Sequence, residues 1–436
     1  EREGVLEVAL PEESMPTVVR ERLASRKISR VRVIGQGTAA VAGQGVAAIL
    51  HDLCDGELDV DAITATEVSG FQLRADMSDT LIIAVSQSGT TTDTNRTVDL
   101  LRARGAIVIA IVNRRGSDLA VKADGVVYTS DGRDVEMSVA STKAFYAQVA
   151  AGALLACDIA STADVGSQAR RHRLLNSLQD LPAAMTAVLG QRSGIADIAT
   201  RTALSKRYWA VVGNGPNLVA ANEVRIKLSE LCYKSIAADV TEDKKHIDLS
   251  SEPLIFVCAA GLQGSTADDV AKETAIFSAH KATPIVVCDE GQTRFTSGTV
   301  IEVPSVDPAL GFILSAMVGH LFGYEAARAI DRSALPLRAA RDVIERVVES
   351  GETADAIVTN VADDIQVHLH EFEQGVRAKS YDGHLEASTA VRLTAAIGYL
   401  RSRRPIEDFS IVTGNVGTPE LLIAEVIDAL SAAIDE

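Results

Sequence analysis

The sequence predicts an α/β protein, with two tandem doubly wound parallel sheets and then a mostly helical C-terminal extension. Three observations carry this. Runs of Val, Ile, Leu and Ala without polar alternation, the mark of strands buried on both faces, alternate with helical stretches. The alternation occurs twice at near-equal offsets, 178 positions between Gly35 and Gly213 and 173 between Leu81 and Leu254. From about Leu335 the strand signals fade into helical periodicity.

In chain order, residues 1–29 form an N-terminal segment with two short helical stretches, and the first α/β unit occupies 30–162. Val31–Gly35 reads as a strand, Gln36-Gly37-Thr38 as a turn and Ala39–Leu53 as an Ala-rich helix. A strand is expected at Asp61–Val68, then the Leu81 strand with a helix over Thr92–Arg104. Strands at Ile107–Val112 and Val126–Tyr128 and a long helix over Ser138–Ile159 complete the unit. Residues 163–205 read as a helical connection containing Pro182. The second unit, 206–334, repeats the pattern. Trp209–Gly215 echoes Val31–Gly37. Leu254–Cys258, with a Gly264-Ser265-Thr266 turn, echoes the Leu81 strand, and Pro284–Cys288 echoes Ile107–Val112. The extension, 335–436, shows helices over 338–375, 386–402 and the last twenty residues, with one candidate strand at Phe409–Val412.

Composition narrows the function. With 42 basic against 59 acidic residues the net charge is −17, which argues against a general nucleic-acid surface. Without an apolar run of spanning length, no membrane segment is expected. Five scattered cysteines without a CxxC fit a reducing cytoplasm. No zinc pattern is present, and His368 and His370, two apart on a helix, face different ways, so neither a metal nor another cofactor is expected.

The stretch Leu81-Ile82-Ile83-Ala84-Val85-Ser86-Gln87-Ser88-Gly89-Thr90-Thr91 delivers hydroxyls and one glycine to a helix N-terminus, where backbone N–H groups and the helix dipole favour an anion. An ordinary strand–turn–helix corner has similar composition. Gly35-Gln36-Gly37-Thr38 is a lone G-x-G, explained as well by close helix–strand packing as by a dinucleotide. Glu223, Lys227 and Glu230 stack on one helix face at i, i+4 and i+7. Spacing alone favours a solvated stripe. The helix follows the Gly213–Gly215 turn, however, so a carboxylate beside an ammonium there could act as a base next to a carbonyl. His246 lies in a charged loop or short helix and taken alone reads as an exposed histidine.

Together these motifs resemble the SIS (sugar isomerase) family, in particular the isomerase half of the glucosamine-6-phosphate synthases, over about residues 30–330. Three matches carry the resemblance: Ser86-Gln87-Ser88-Gly89-Thr90-Thr91-x-Asp93-Thr94, Val139-Ala140-Ser141-Thr142-Lys143-Ala144-Phe145, and Glu223-x3-Lys227-x2-Glu230-x2-Tyr233 with His246 sixteen residues beyond Glu230. The resemblance implies that Ser86, Gln87, Ser88, Thr91 and Thr38 bind a sugar phosphate and that Val139 lines the sugar through its backbone. It implies that Glu230 moves a proton between C1 and C2, that His246 of a neighbouring subunit opens the ring, and that Lys227 and Glu223 sit beside them. It further implies a cytoplasmic homodimer with a shared site, converting fructose 6-phosphate to glucosamine 6-phosphate with a glutaminase domain outside this chain. Two other readings are a stand-alone amino-sugar-phosphate deaminase or deglycase and a non-catalytic sugar-phosphate regulator. The chain departs from the family at Ala39, where a serine is usual, at Thr90 in place of an acidic residue, and around His246, in Glu242-Asp243-Lys244-Lys245-His246-Ile247-Asp248. The opening on Glu1 and the end at Glu436 without the family's lysine-bearing tail lead us to expect that both ends belong to a longer protein.

Overall fold

The computed structural model describes residues 4–130, 136, 140–246, 249–401, 406–410, 414 and 416–436. The chain divides into two compact units, Glu1–Ser193 with Trp209–Leu321, and Gly194–Tyr208 with Phe322–Glu436.

The first unit holds both sheets. The first half runs α1 (Thr17–Ala24), β1 (Arg30–Gly35), α2 (Thr38–Cys54), β2 (Asp59–Thr64), α3 (Ala65–Phe71), β3 (Thr80–Ser86), α4 (Thr92–Arg102), β4 (Ile107–Val112), α5 (Asp118–Lys122), β5 (Gly125–Tyr128) and α6 (Lys143–Thr162). After α7 (Gln168–Gly190) and α8 (Arg192–Ala203) come β6 (Trp209–Gly213), α9 (Asn217–Cys232), β7 (Ile236–Asp239), α10 (Thr241–His246), β8 (Leu254–Cys258), α11 (Gly264–Ala279), β9 (Thr283–Asp289), β10 (Thr299–Val303) and α12 (Gly311–Ser333). The strand orders are β2-β1-β3-β4-β5 and β7-β6-β8-β9-β10, all parallel, so the second sheet repeats the topology of the first. In each, the order reverses beside the first strand, and such a switch point opens a crevice at the carboxyl ends of the strands.

Every residue of β3 and β4 is buried, which is why these two strands read as unbroken apolar runs. The strand expected over Asp61–Val68 stops at Thr64, and Ala65–Phe71 is helical. Its partner β1 is exhausted at the pair Gly35–Thr64, so further extension would leave backbone groups unpaired. Strands β7 and β10, absent from the sequence reading, form the two edges of the second sheet. Gly264-Ser265-Thr266 is the first turn of α11, not the loop after β8. That loop is Ala259-Ala260-Gly261-Leu262, buried and apolar, and its Gly261 N–H donates to Asp289 Oδ1 at 2.8 Å.

Helix α6 begins at Lys143, later than the sequence suggested, with Ser138 outside the described residues. By length and composition it is the single described helix that could cross a membrane, contrary to the expectation that no such run exists. Here it packs along α2, and the contact is close because glycines line it. A Cβ on Gly152 would lie 2.1 Å from Val46 Cγ2, and one on Gly45 3.5 Å from Val149 Cγ2.

The second unit is helical in its described residues: α13 (Leu335–Glu349), α14 (Ala354–Asp364), α15 (Gln366–Arg377), α16 (Ala387–Leu400) and α17 (Pro419–Asp435). Its own core includes Leu337, Ile357, Leu369, Phe372, Leu393 and Leu430. Residues 194–208 join this core through Arg207, which donates to Leu385 O at 2.8 Å, and through Leu204 O, which accepts from Gly383 N–H at 2.9 Å. Phe409 and Ser410, expected in a strand, are helical, and Ile411 and Val412 lie outside the described residues.

Gly152→Ala tests the α2–α6 contact. Alanine gains helix propensity of about 1 kcal/mol, but the clash with Val46 should outweigh it, lowering unfolding free energy by about 1–3 kcal/mol in urea titrations. Adding Val46→Ala should recover much of the loss, and a stabilised single variant would show that α6 has room to move.

Candidate active site

Strand β3 ends at the switch point and hands Ser86 to the loop Gln87–Thr91, after which α4 begins at Thr92. The loop is stapled from within. Ser86 Oγ accepts from Gly89 N–H at 3.0 Å, and Ser88 Oγ accepts from Thr90 N–H at 3.2 Å. Asn95 Nδ2 donates to the carbonyls of Gly89 and Thr91, both at 3.1 Å. Gly89 adopts φ 66°, and a Cβ there would fall 2.0 Å from Ser117 Oγ, so only glycine makes this corner. Thr91 precedes α4 with no side-chain capping bond, so its hydroxyl does not cap the helix N-terminus at which it stands.

The glycine turn after β1 lies alongside. Gly35 packs against α2 so closely that a Cβ would meet Ala39 C at 2.9 Å, and Gly37 turns at φ 56° to start the helix. Thr38 opens α2, and its Oγ1 accepts a hydrogen bond from Lys227 Nζ at 2.8 Å.

Lys227 corrects the sequence reading of a solvated stripe. The side chains of Lys227 and Glu223 are 0% exposed, because α9 packs against α2 of the other half. Asn222 Nδ2 donates to Gln44 Oε1 at 2.9 Å across the same contact. Lys227 Nζ lies 3.0 Å from Glu230 Oε2 and 3.7 Å from Glu223 Oε1. Glu230 alone of the three reaches outward, 35% exposed. Behind them His320 Nε2 approaches Glu223 Oε1 to 3.3 Å without hydrogen-bond alignment, and its Nδ1 lies 2.7 Å from the Tyr146 hydroxyl. Burial, and then the Glu223 charge, push the Tyr146 hydroxyl well above its ordinary pKa, so it stays protonated, and the tautomer of His320 sets which of the two donates.

One cavity of about 280 Å3 collects these parts. Its wall includes Thr38, Ser86, Gln87, Ser88, Thr91 and Glu230, and also Gln36, Ser141 and Gln148, which sequence reasoning missed. Lys227 and Glu223 stand behind Glu230. His246, on α10, is not part of that wall. Its side chain is 67% exposed, with Nε2 3.2 Å from Glu242 Oε1 on the same helix. Val139 lies outside the described residues. The cysteine thiols at 54, 157, 232 and 288 are pushed up to about 12 chiefly by burial, so none is a nucleophile at neutral pH.

Sequence reasoning also missed Glu136. Its carboxylate accepts from Ser141 Oγ at 2.7 Å and from the N–H groups of Thr142, Lys143 and Ala144 at 2.7, 2.9 and 3.2 Å, capping α6. Burial alone would raise this carboxyl's pKa, but the four donors together hold it below the ordinary value. A carboxylate seven residues ahead of the helix start fits no capping-box spacing, which is why it was not read.

Two outcomes follow. Lys227→Met should cost about 3–5 kcal/mol by leaving Glu223 buried and unpaired; adding Glu223→Gln should restore most of it in a double-mutant cycle. Glu136→Gln should lower stability at pH 7 by about 1 kcal/mol, the size of a lost helix cap. Because the folded carboxyl is depressed, its contribution is complete above the ordinary carboxylate range. It fades as pH falls through the folded value, so the two melting curves should converge on acidification.

The chain is similar to known proteins in sequence and in fold. Residues 23–157 match the SIS domain family model. The glutamine–fructose-6-phosphate aminotransferase (isomerizing) of Thermus thermophilus is 30% identical over 338 residues, 76% of this chain and 53% of that protein. The chain thus spans about half the length of the curated relatives it matches. Among solved structures, the C-terminal domain of glucosamine-fructose-6-phosphate aminotransferase from Francisella tularensis shares the fold, with TM-score 0.65, 20% identity and coverage of 73% of this chain and 90% of that one. Glucosamine-6-phosphate deaminase from Thermotoga maritima does so with TM-score 0.54 and 18% identity, over 70% and 88%. Residues 23–157 thus belong to the SIS domain family.

Proposed function

We propose that this chain is the isomerase portion of a glutamine–fructose-6-phosphate aminotransferase, making glucosamine 6-phosphate from fructose 6-phosphate. The observation that carries the reading is the single cavity walled by the Ser86–Thr91 loop of one half and Glu230 of the other. The loop supplies hydroxyls and a helix N-terminus for the phosphate. Glu230 then lies where the carbon chain ends. Ammonia adds to the C2 carbonyl and water leaves. Glu230 takes a proton from C1 and returns it to C2 while the O1 hydroxyl proton passes to the imine nitrogen, giving the aldose amine without any oxidant. Lys227, held by Glu223 and Thr38, stands beside the Glu230 carboxylate and stabilises the negative charge that develops.

The exposed His246, away from its own cavity wall, fits delivery to the cavity of a second copy, where it would open the sugar ring; we therefore read the working form as a homodimer. We place it in the cytoplasm, as the five buried free thiols suit a reducing compartment, and read a glutaminase domain elsewhere in the protein as the ammonia source. The same base serves the reverse direction, in which water adds and ammonia leaves, and the fold shared with the Thermotoga deaminase favours that second reading.

Supplying fructose 6-phosphate with ammonia, and then with glutamine to the full-length protein, should yield glucosamine 6-phosphate. Glu230→Gln should lower kcat by about 10²–10⁴-fold while calorimetry shows unchanged sugar-phosphate binding. Intact binding with no product in either direction would instead indicate a regulator, and full turnover by Glu230→Gln would remove this residue as the base.

A further inference from the structure

Gln148 is a polar group that the reaction above leaves unused. It is 2% exposed, and its carbonyl oxygen Oε1 is buried without a hydrogen-bond partner. Its neighbours on α6, Phe145, Val149 and Ala151, are buried apolar residues. An amide in such a face costs stability that Leu or Met would not, unless something arrives to satisfy it. Gln148 also lines the cavity shared by the phosphate loop and Glu230, so its amide stands at the edge of a space sized for a small molecule, within one side-chain rotation of it.

Resting on the reading of that cavity as a sugar-phosphate site, we propose that Gln148 is a specificity residue that hydrogen-bonds a hydroxyl of the substrate's carbon chain. The unmet atom is an acceptor, so its partner must donate. A phosphate dianion has no proton to give, and the Ser86–Thr91 loop already supplies donors for it. A half-turn of the amide would exchange oxygen and nitrogen, and a hydroxyl, both donor and acceptor, answers either orientation. Gln148 therefore distinguishes a polyhydroxylated chain from a bare phosphate. It contributes nothing to proton transfer.

The test compares wild type with Gln148→Leu, and with the unbranched Gln148→Met where Leu packs poorly, by calorimetry with inorganic phosphate, fructose 6-phosphate and its monodeoxy analogues. Phosphate affinity should be unchanged and fructose 6-phosphate affinity should fall about 10- to 100-fold. One deoxy analogue, lacking the hydroxyl that Gln148 reads, should bind both forms equally. The melting temperature of the free variant should be unchanged or higher, since an unpaired buried amide has gone. Unchanged fructose 6-phosphate affinity in the variant overturns the proposal. So does a parallel loss of phosphate and sugar-phosphate binding with a lower melting temperature, which is the behaviour of a purely structural glutamine. A wild type that binds phosphate but no hexose phosphate would remove the sugar-phosphate reading itself, a result distinct from both.

Discussion

The arrangement of both sheets depends on one buried ammonium. Lys227 has no solvent to stabilise it, so its charge must be met by the groups around it: Glu223 and Glu230 on its own helix and Thr38 from the opposite half. Each of those bonds fixes something larger. Thr38 ties α9 to the first turn of α2, and so sets one half of the unit against the other. Glu230 is drawn to the rim of the cavity. The groups around Lys227 are therefore also the groups that hold the two halves in register.

The Ser86–Thr91 loop is organised on a different principle. None of its own side chains is charged; its geometry comes from backbone turns that glycine permits, and from Asn95 and Ser86 pinning the loop's own carbonyls and N–H groups. In a chain of net charge −17 this is an economical way to attract an anion, because donors fixed in a stapled loop act locally and need no favourable long-range field.

How much was legible in the sequence follows from what kind of burial each element has. Strands β1, β3, β4, β6, β8 and β9, covered on both faces or nearly so, announce themselves as apolar runs. Edge strands β7 and β10 do not, since Ile236-Ala237-Ala238-Asp239 and Thr299-Val300-Ile301-Glu302-Val303 are part-exposed and mixed in character. The Ser86–Thr91 loop was readable because its hydroxyls are contiguous in sequence. The burial of Glu223 and Lys227 was not: a Glu–Lys stripe looks the same whether it faces water or another helix, and only the fold brings α2 against it. Gln148 and Glu136 were invisible for related reasons. One is a single amide in an otherwise apolar helix, and the other is a cap reaching across a gap that no spacing rule covers.

The buried apolar loop after β8 makes the duplication unequal. In the first half the corresponding loop offers hydroxyls to whatever enters. In the second, the Gly261 N–H is already taken by the Asp289 carboxylate, an anion supplied by the chain itself. A negatively charged ligand arriving there would meet a like charge, and the N–H groups of Ala259, Ala260, Gly261 and Leu262 are already engaged. Two copies of one topology thus end in loops of opposite character, one offering hydroxyls and one closed by the chain's own carboxylate.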